Sequence, residues 1–133
     1  MLTQVRLRSL WLAVGWLGVG LTIYFSLTPS PPTLDIEQGD KLEHLAGYAL
    51  LMVWFAQLAV EPDRRWVTAA LLIGLGVGLE CAQGLTSWRT FSYLDMAANA
   101  LGVGIGLLLS PPRAPNLLEF SATLLQRLGL VQR

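Results

Sequence analysis

Residues 89–106, RTFSYLDMAANALGVGIG, decide how the rest of this chain is interpreted. The polar and glycine residues of this stretch recur at spacings of three or four: Ser92, Asp95, Asn99, Gly102 and Gly106. An α-helix brings positions with that spacing to one face. Because most residues between them are apolar, the stretch predicts a hydrophobic helix that begins near Tyr93 and carries one polar, glycine-lined stripe.

Two further polar clusters lie where apolar runs begin or end, and they read Asp40-Lys41-x-x-His44-x-x-x-Tyr48 and Glu80-x-x-Gln83. Ionisable residues at membrane depth are energetically expensive, so by default they mark a functional site or an internal network. The clusters fall at the same end of successive apolar segments. We therefore expect them to converge, together with Arg89, on one polar pocket that opens outward.

The composition indicates an integral membrane protein. The 133 residues are 53% hydrophobic and 14% charged, whereas soluble domains carry about 25% charged residues. A formal net charge of zero argues against a nucleic-acid partner. The single cysteine, Cys81, excludes an intrachain disulfide framework, and we expect it to be an inert core residue.

The apolar segments predict an all-α fold, a four-helix antiparallel transmembrane bundle. Spans of about 20 residues are expected near 9–27, 41–60, 65–83 and 93–110, within a domain covering 1–112. Residues 113–133 predict a cytoplasmic amphipathic helix, or alternatively a frayed tail. The first segment resembles a signal peptide, but it is long and lacks a cleavage pattern, so we expect it to be retained.

Positive charge is distributed unevenly between the two sides of this predicted bundle. Of the nine lysines and arginines, Lys41 and Arg89 alone belong to the side that carries the polar clusters. The excess on the other side predicts that both termini are cytoplasmic and that the polar clusters face outward.

Glycines four residues apart predict close helix packing. Gly74-x-x-x-Gly78 lies in the third segment and Gly102-x-x-x-Gly106 in the fourth. Because the link between these segments is short, we expect them to pack on each other within one chain. Homodimerisation is the alternative, and the oligomeric state stays open.

Several of these polar residues also have purely structural interpretations. Ser92-x-x-Asp95 has the spacing of a helix N-cap, and Asp40 with Glu43 fits a similar device. Lys41 could simply extend to the lipid headgroups, and the same holds for Arg89. His44, as a lone histidine, could be a hydrogen-bonding residue of the core.

The ordered series of polar residues resembles the VanZ-like family of small bacterial membrane proteins. The matching residues are Asp40-Lys41-x-x-His44, Tyr48, Glu80-x-x-Gln83, Arg89-x-x-Ser92-x-x-Asp95, Asn99 and Gly102. The family often has a Pro-Gly step just before its arginine, where this chain reads Thr86-Ser87-Trp88. The resemblance implies a multi-span protein of the bacterial cytoplasmic membrane, with a link to teicoplanin resistance and cell-envelope metabolism. It implies no particular reaction.

The first functional hypothesis is a site that binds, and can chemically process, an anionic lipid-linked envelope molecule. Lys41 and Arg89 would hold its phosphate. His44 would act as general acid or base, with Glu80 or Asp95 setting its tautomer and charge. The remaining residues would orient polar groups of the ligand: Asn99, Gln83, Tyr48 and Asp40. A divalent metal held by His44, Glu80 and Asp95 is an alternative, but the ligand spacing matches no standard metal motif, so we predict no metal and no cofactor.

The second hypothesis is non-enzymatic. The polar cluster would be a structural network, and the bundle would serve as a membrane scaffold or partner subunit. No nucleophile motif is present, so whether the protein is an enzyme stays open at this stage. A transporter is a weaker alternative, because four short spans without broken helices offer little for alternating access.

Overall fold

The structure, a computed structural model, describes residues 2–132, so Arg133, which the predicted charge asymmetry includes, lies outside the described residues. Its helices are α1 (Gln4–Leu27), α2 (Gly39–Ala56), α3 (Pro62–Gly84), α4 (Tyr93–Leu108) and α5 (Leu117–Arg127). Two-residue strands, β1 (Leu2–Thr3) and β2 (Val131–Gln132), pair in parallel. The predicted helical class, with four longer helices and one shorter C-terminal helix, is confirmed.

Two of the helices, α1 and α3, are long and apolar enough to cross a membrane, and α4 is a shorter apolar helix. The most apolar window of α1 is 17% buried and that of α3 is 33% buried. A core helix of a soluble protein would be mostly covered by its own fold. The large exposed apolar surface of these helices therefore supports association with a membrane.

The main helix contact of the fold is the α2–α4 seam, which depends on two glycines of α4. A side chain at Gly102 would overlap the backbone carbonyl of Leu45, and a Cβ at Gly106 would lie 2.6 Å from the Ala49 carbonyl oxygen and from Met52. Met52 is fully buried at this contact. Only a missing side chain lets the two backbones approach this closely.

The prediction that these glycines pack α4 against α3 is therefore wrong, because their partner is α2. The glycines of α3 behave differently. No described atom lies within 4 Å of a Cβ built on Gly74 or Gly78, whereas one built on Gly76 would lie 3.1 Å from Asn99. The α3–α4 contact thus involves a single glycine that the spacing motif did not include.

Helix α1 packs along α2 through aromatic side chains. The rings of Trp11 and Trp54 stack with their centroids 4.2 Å apart, and the Trp54 indole N–H donates to the Trp11 carbonyl oxygen at 2.7 Å. Gly15 leaves room for the ring of Phe55 beside them. These contacts fix α1 against the α2–α4 pair.

Helices α1 and α3 terminate at the same side of the bundle, which we call the polar end. Helix α5 packs at the opposite side, which we call the α5 end. Helix α2 ends at Ala56, four residues before the predicted boundary. The next residue, Gln57, accepts a hydrogen bond from the Leu117 N–H at 2.7 Å and another, through its carbonyl, from the Asn116 side chain at 3.2 Å. Helix α2 therefore ends directly before the residue that anchors α5.

Cys81 is exposed, so the prediction that it is a core residue is wrong. It lies on the face of α3 turned away from α4, next in sequence to the buried Glu80. Apolar context in the sequence could not distinguish a position facing the bundle from one facing its surroundings.

Candidate functional site

The predicted polar residues of α2, α3 and α4 converge at the polar end. His44 Nδ1 lies 2.9 Å from Asn99 Oδ1, and His44 Nε2 lies 3.7 Å from Asp95 Oδ2. Because an amide oxygen can only accept, the first contact is a hydrogen bond when Nδ1 carries a proton, which for a neutral imidazole is the Nδ1-protonated tautomer. The second nitrogen is then free to accept a proton or a ligand.

Glu80 brings α3 into the same cluster. Its side chain is 1% exposed, and its Oε2 accepts a hydrogen bond from the Ser92 backbone N–H at 3.1 Å. His44, Glu80 and Asp95 each offer one nitrogen or oxygen atom that could bind a metal ion, and these three atoms lie within 4.8 Å of one another. The predicted convergence of the three helices is thus seen at side-chain level.

Ser92 has the capping role that its spacing predicted. Its hydroxyl accepts a hydrogen bond from the Asp95 backbone N–H at 3.2 Å, immediately before the first residue of α4. With the Ser92 N–H directed at Glu80, this residue joins the start of α4 to the end of α3. The cap therefore fixes the first turn of α4, which places Asp95 in the cluster.

The corresponding prediction for Asp40 is wrong. Helix α2 begins at Gly39, after Gln38 in a left-handed conformation with φ 60°, and no side chain caps it. Asp40 instead contacts the ammonium of Lys41 at 2.6 Å, and Glu43 accepts from the Leu34 N–H of the preceding loop. Asp40 and Glu43, which the sequence predicted as a capping pair, therefore contact other groups.

Lys41 is an ion-pair partner rather than a free cation. Its Nζ lies 2.6 Å from Asp95 Oδ1 as well as 2.6 Å from Asp40 Oδ2. The Asp95 contact crosses from α2 to α4 and has little exposure on the Asp95 side. Lys41 thus offsets the charge of a buried carboxylate, and less of its own charge is left for a ligand.

A cavity of about 750 Å³ opens beside this cluster. The predicted residues that line it are Asp40, His44, Tyr48, Gln83, Arg89 and Asp95. Lys41, Glu80 and Asn99 are not in its lining, and they support it from behind through the contacts described above. The cavity is large enough for a small headgroup together with the beginning of its lipid part.

One buried polar group at this cavity has no hydrogen-bond partner, and another makes only one side-chain hydrogen bond. Gln83, 1% exposed, donates its amide to the Ser26 carbonyl oxygen at 2.7 Å. The Tyr48 side chain is 3% exposed, and its hydroxyl has no partner within the described chain. Such groups are the ones that a bound molecule or water would satisfy.

Arg89 is the cation that lines the cavity without a carboxylate. No acidic side chain of the described residues lies within ion-pair distance of its guanidinium, so the expected close contact with Glu80 or Asp95 is absent, and the charge of Arg89 acts on Glu80 only at longer range. Its backbone is fixed by the Thr86 hydroxyl, which accepts the Arg89 N–H at 3.1 Å. The indole N–H of neighbouring Trp88 donates to the Leu27 carbonyl oxygen at 3.0 Å.

Sequence reasoning missed the contribution of α1 and of the loop that follows it. The additional lining residues include Leu21, Thr22, Phe25, Ser26, Pro31, Pro32, Thr33 and Leu34. Thr22 and Ser26 lie four residues apart, so they share a face near the end of α1. That spacing was a usable signal, although nothing in the sequence indicated the path of the loop.

Comparison with known proteins gives one informative match. The chain is 33% identical over 82 residues to an uncharacterised protein of the fission yeast Schizosaccharomyces pombe, an alignment that covers 59% of this chain and 51% of that protein. The chain thus spans about half the length of this relative. No family model and no solved structure matches. Because the relative is eukaryotic, it lends no support to the bacterial source implied by the resemblance.

Proposed function

We propose that this chain is a VanZ-like protein whose helices α1 to α4 form a transmembrane bundle, with both termini on the cytoplasmic side. The exposed apolar surface of α1 and α3 supports spanning, and the arginine-rich α5 end supports the orientation. The bacterial cytoplasmic membrane and the link to teicoplanin resistance belong to this proposal through the family resemblance.

We propose further that the cavity at the polar end binds the anionic headgroup of a lipid-linked envelope molecule. The observation that carries this proposal is Arg89, a guanidinium that lines the cavity and has no carboxylate partner among the described residues. A guanidinium can grip phosphate or carboxylate through two parallel hydrogen bonds. Leu21, Phe25 and Leu34 give the opposite wall an apolar character that suits the first part of a lipid chain.

The same geometry suits a proton-transfer step on the bound molecule. With its Nδ1 held by Asn99, His44 presents Nε2 toward Asp95 and the cavity. A neutral imidazole in that orientation can act as a general base, and a neighbouring carboxylate stabilises the imidazolium that forms.

The alternative function is a non-catalytic scaffold in which the cluster is a structural network. It is favoured by the contacts that are already satisfied internally, Lys41 with Asp95 and His44 with Asn99. The two functions differ in what they require of Arg89. In a scaffold, Arg89 would serve only through contact with lipid headgroups or long-range attraction to Glu80, whereas an anion site depends on its guanidinium as a direct ligand.

The test is mass spectrometry of lipids that copurify with the full-length chain, compared with Arg89→Gln. We expect the variant to lose anionic lipid and to keep its neutral lipid. Arg113→Gln is the matched control, since it removes an exposed arginine at the α5 end. Equal anionic lipid in all three proteins would reject the headgroup site and favour the scaffold.

The topology is tested separately by cysteine labelling in a Cys81→Ala background. Cysteines placed at Ser30 and Ser87, both exposed at the polar end, should react with an impermeant reagent from outside the cell. A cysteine in α5 should be protected. The reverse labelling pattern would invert the proposed orientation.

A further inference from the structure

We infer that His44, Glu80 and Asp95 form a binding site for one divalent metal ion at the inner wall of the cavity. Their ligand atoms, one imidazole nitrogen and two carboxylate oxygens, all lie within 4.8 Å of one another. Around a tetrahedral ion with bonds of about 2.1 Å, ligand atoms lie roughly 3.4 Å apart. His44 Nε2 and Asp95 Oδ2 are already 3.7 Å apart, and rotation about the longer Glu80 side chain can close the remaining gap.

The orientation of the histidine supports a ligand role. In the Nδ1-protonated neutral tautomer, Asn99 Oδ1 accepts from Nδ1 at 2.9 Å, and Nε2 on the side of Asp95 is available as a ligand. Metal-bound histidines almost always have their second ring nitrogen held in this way, because the contact fixes both the tautomer and the ring angle. Asn99 is itself 3% exposed and backed by Gly76, so the support is rigid.

A second observation, independent of the three ligands, is the Tyr48 hydroxyl. It is buried on the same cavity and has no hydrogen-bond partner in the described part of the chain. A buried donor left without an acceptor is unfavourable, because its lost contact with water is not replaced. A water or ligand oxygen bound to a metal ion in the cavity would supply the missing acceptor.

Charge gives the third argument. Glu80 and Asp95 are 1% and 9% exposed, and the Lys41 ammonium that serves Asp95 is shared with Asp40. Two carboxylates beside the cavity would repel an anionic headgroup, whereas a divalent cation would cancel their charge and bridge to that headgroup. This use of the ion rests on the proposed function, but the site itself rests on geometry. The mixed nitrogen and oxygen donor set suits Zn²⁺ or Mn²⁺, and it makes His44 a ligand instead of a proton carrier.

The test uses the full-length chain in detergent, stripped with chelator and then titrated with Zn²⁺. We expect one equivalent to be retained through gel filtration by the unmodified protein and lost by Glu80→Gln. Glutamine keeps an oxygen that can accept the Ser92 N–H, so the entry to α4 is preserved. Glu43→Gln changes a carboxylate that lines the same cavity but is neither one of the three ligands nor a partner of Lys41, and it should retain the metal. Asn99→Ala should weaken binding about 10- to 100-fold. Zn²⁺ binding by Glu80→Gln as tight as that of the unmodified chain would overturn the site.

A readout that needs no variant is Co²⁺ absorption. Added to the unmodified chain, Co²⁺ should give a visible band that one equivalent of Zn²⁺ abolishes, and the absence of such a band would count against the site. Lipid retention with and without Zn²⁺ then separates the two proposals. Metal binding without any effect on anionic lipid would overturn the bridging role. Lipid retention that depends on Arg89 in a chain that binds no metal would overturn the metal site and leave the headgroup site standing.

Discussion

Two buried glutamines, one at each end of the bundle, show how the polar end differs from the α5 end. Gln57 and Gln83 are both 1% exposed. Gln57 uses both ends of its amide, since Nε2 donates to the Val53 carbonyl oxygen at 3.0 Å and Oε1 accepts from the Leu117 N–H. Gln83 makes a single side-chain hydrogen bond within the described chain, as donor to the Ser26 carbonyl oxygen.

The contrast is narrower for neighbouring groups. At the α5 end the Ser110 hydroxyl, fully buried, donates to the Gly106 carbonyl oxygen at 2.6 Å. Buried polar groups normally find partners within the fold, yet each end keeps exceptions in the described chain: Arg65 Nε and Gln126 Nε2 at the α5 end, and the Tyr48 hydroxyl at the polar end. The two ends therefore differ at their glutamines and at Arg89, and not in every buried polar group.

The largest expected effect tests the seam that holds both ends in place. Gly106→Leu should overpack the α2–α4 contact, because even a Cβ would lie 2.6 Å from the Ala49 carbonyl oxygen and from Met52. Overpacking of this kind typically costs about 1–3 kcal/mol, and occasionally more. Thermal unfolding in detergent measures it. Gly74→Leu is the control, since its Cβ would meet no described atom within 4 Å. Equal melting temperatures for the two variants would show that the seam is not tightly packed.

The second prediction compares the two glutamines directly. Gln57→Leu should lower stability by about 1–3 kcal/mol, because it leaves the Leu117 N–H without its acceptor and loosens α5. Gln83→Leu should cost about 0.5–1.5 kcal/mol, since it removes one hydrogen bond, and it should also reduce bound anionic lipid. If Gln83→Leu proves the more damaging to stability and leaves lipid unchanged, the polar end is as structural as the other.

The third prediction concerns helix N-caps and has a smaller expected effect. Each end of the bundle has one such cap, Ser92 at the polar end and Asn116 at the α5 end. Ser92→Ala removes the hydroxyl that caps α4 at the Asp95 N–H and should cost about 1 kcal/mol. Asn116→Ala should cost at least as much, because that side chain caps α5 and also donates to the Gln57 carbonyl oxygen. A Ser92→Ala protein that keeps its stability would indicate that the Ser92 N–H contact with Glu80 suffices to start α4.

What could be predicted from the sequence follows from local physics. Helical spacing brought Asp95, Asn99 and Gly102 to one face of α4, and the Ser92 cap needs only residues three apart, so both predictions are confirmed. The partner of that glycine face was predicted wrongly because spacing defines a face and not its neighbour. A short link suggested α3, whereas the backbone of α2 at Leu45 is what a side chain at Gly102 would meet.

The contributions made by distant segments could not be predicted at all. Gln57 fell inside the predicted span 41–60, and its function in anchoring α5 depends on a residue 60 positions further along the chain. The cavity wall formed by α1 and by residues 31–34 is likewise a product of tertiary packing. The pairing of Lys41 with Asp95, which removes one of the two predicted anion-binding cations, also crosses between helices.

The smallest expected effect on stability belongs to Arg89, and it decides whether the polar end is a ligand site. Arg89→Lys should leave the free energy of unfolding within about 0.5 kcal/mol of that of the unmodified chain, because no close ion pair of the described chain is lost and lysine keeps the positive charge. Bound anionic lipid should nevertheless fall, since an ammonium cannot reproduce the two-point grip of a guanidinium on phosphate. Arg89→Gln should reduce it further. Thermal unfolding and lipid mass spectrometry on the same preparations measure stability and bound anionic lipid separately. A fall in stability with lipid content unchanged would mean that Arg89 supports the fold, and the contrast between the two ends would then disappear.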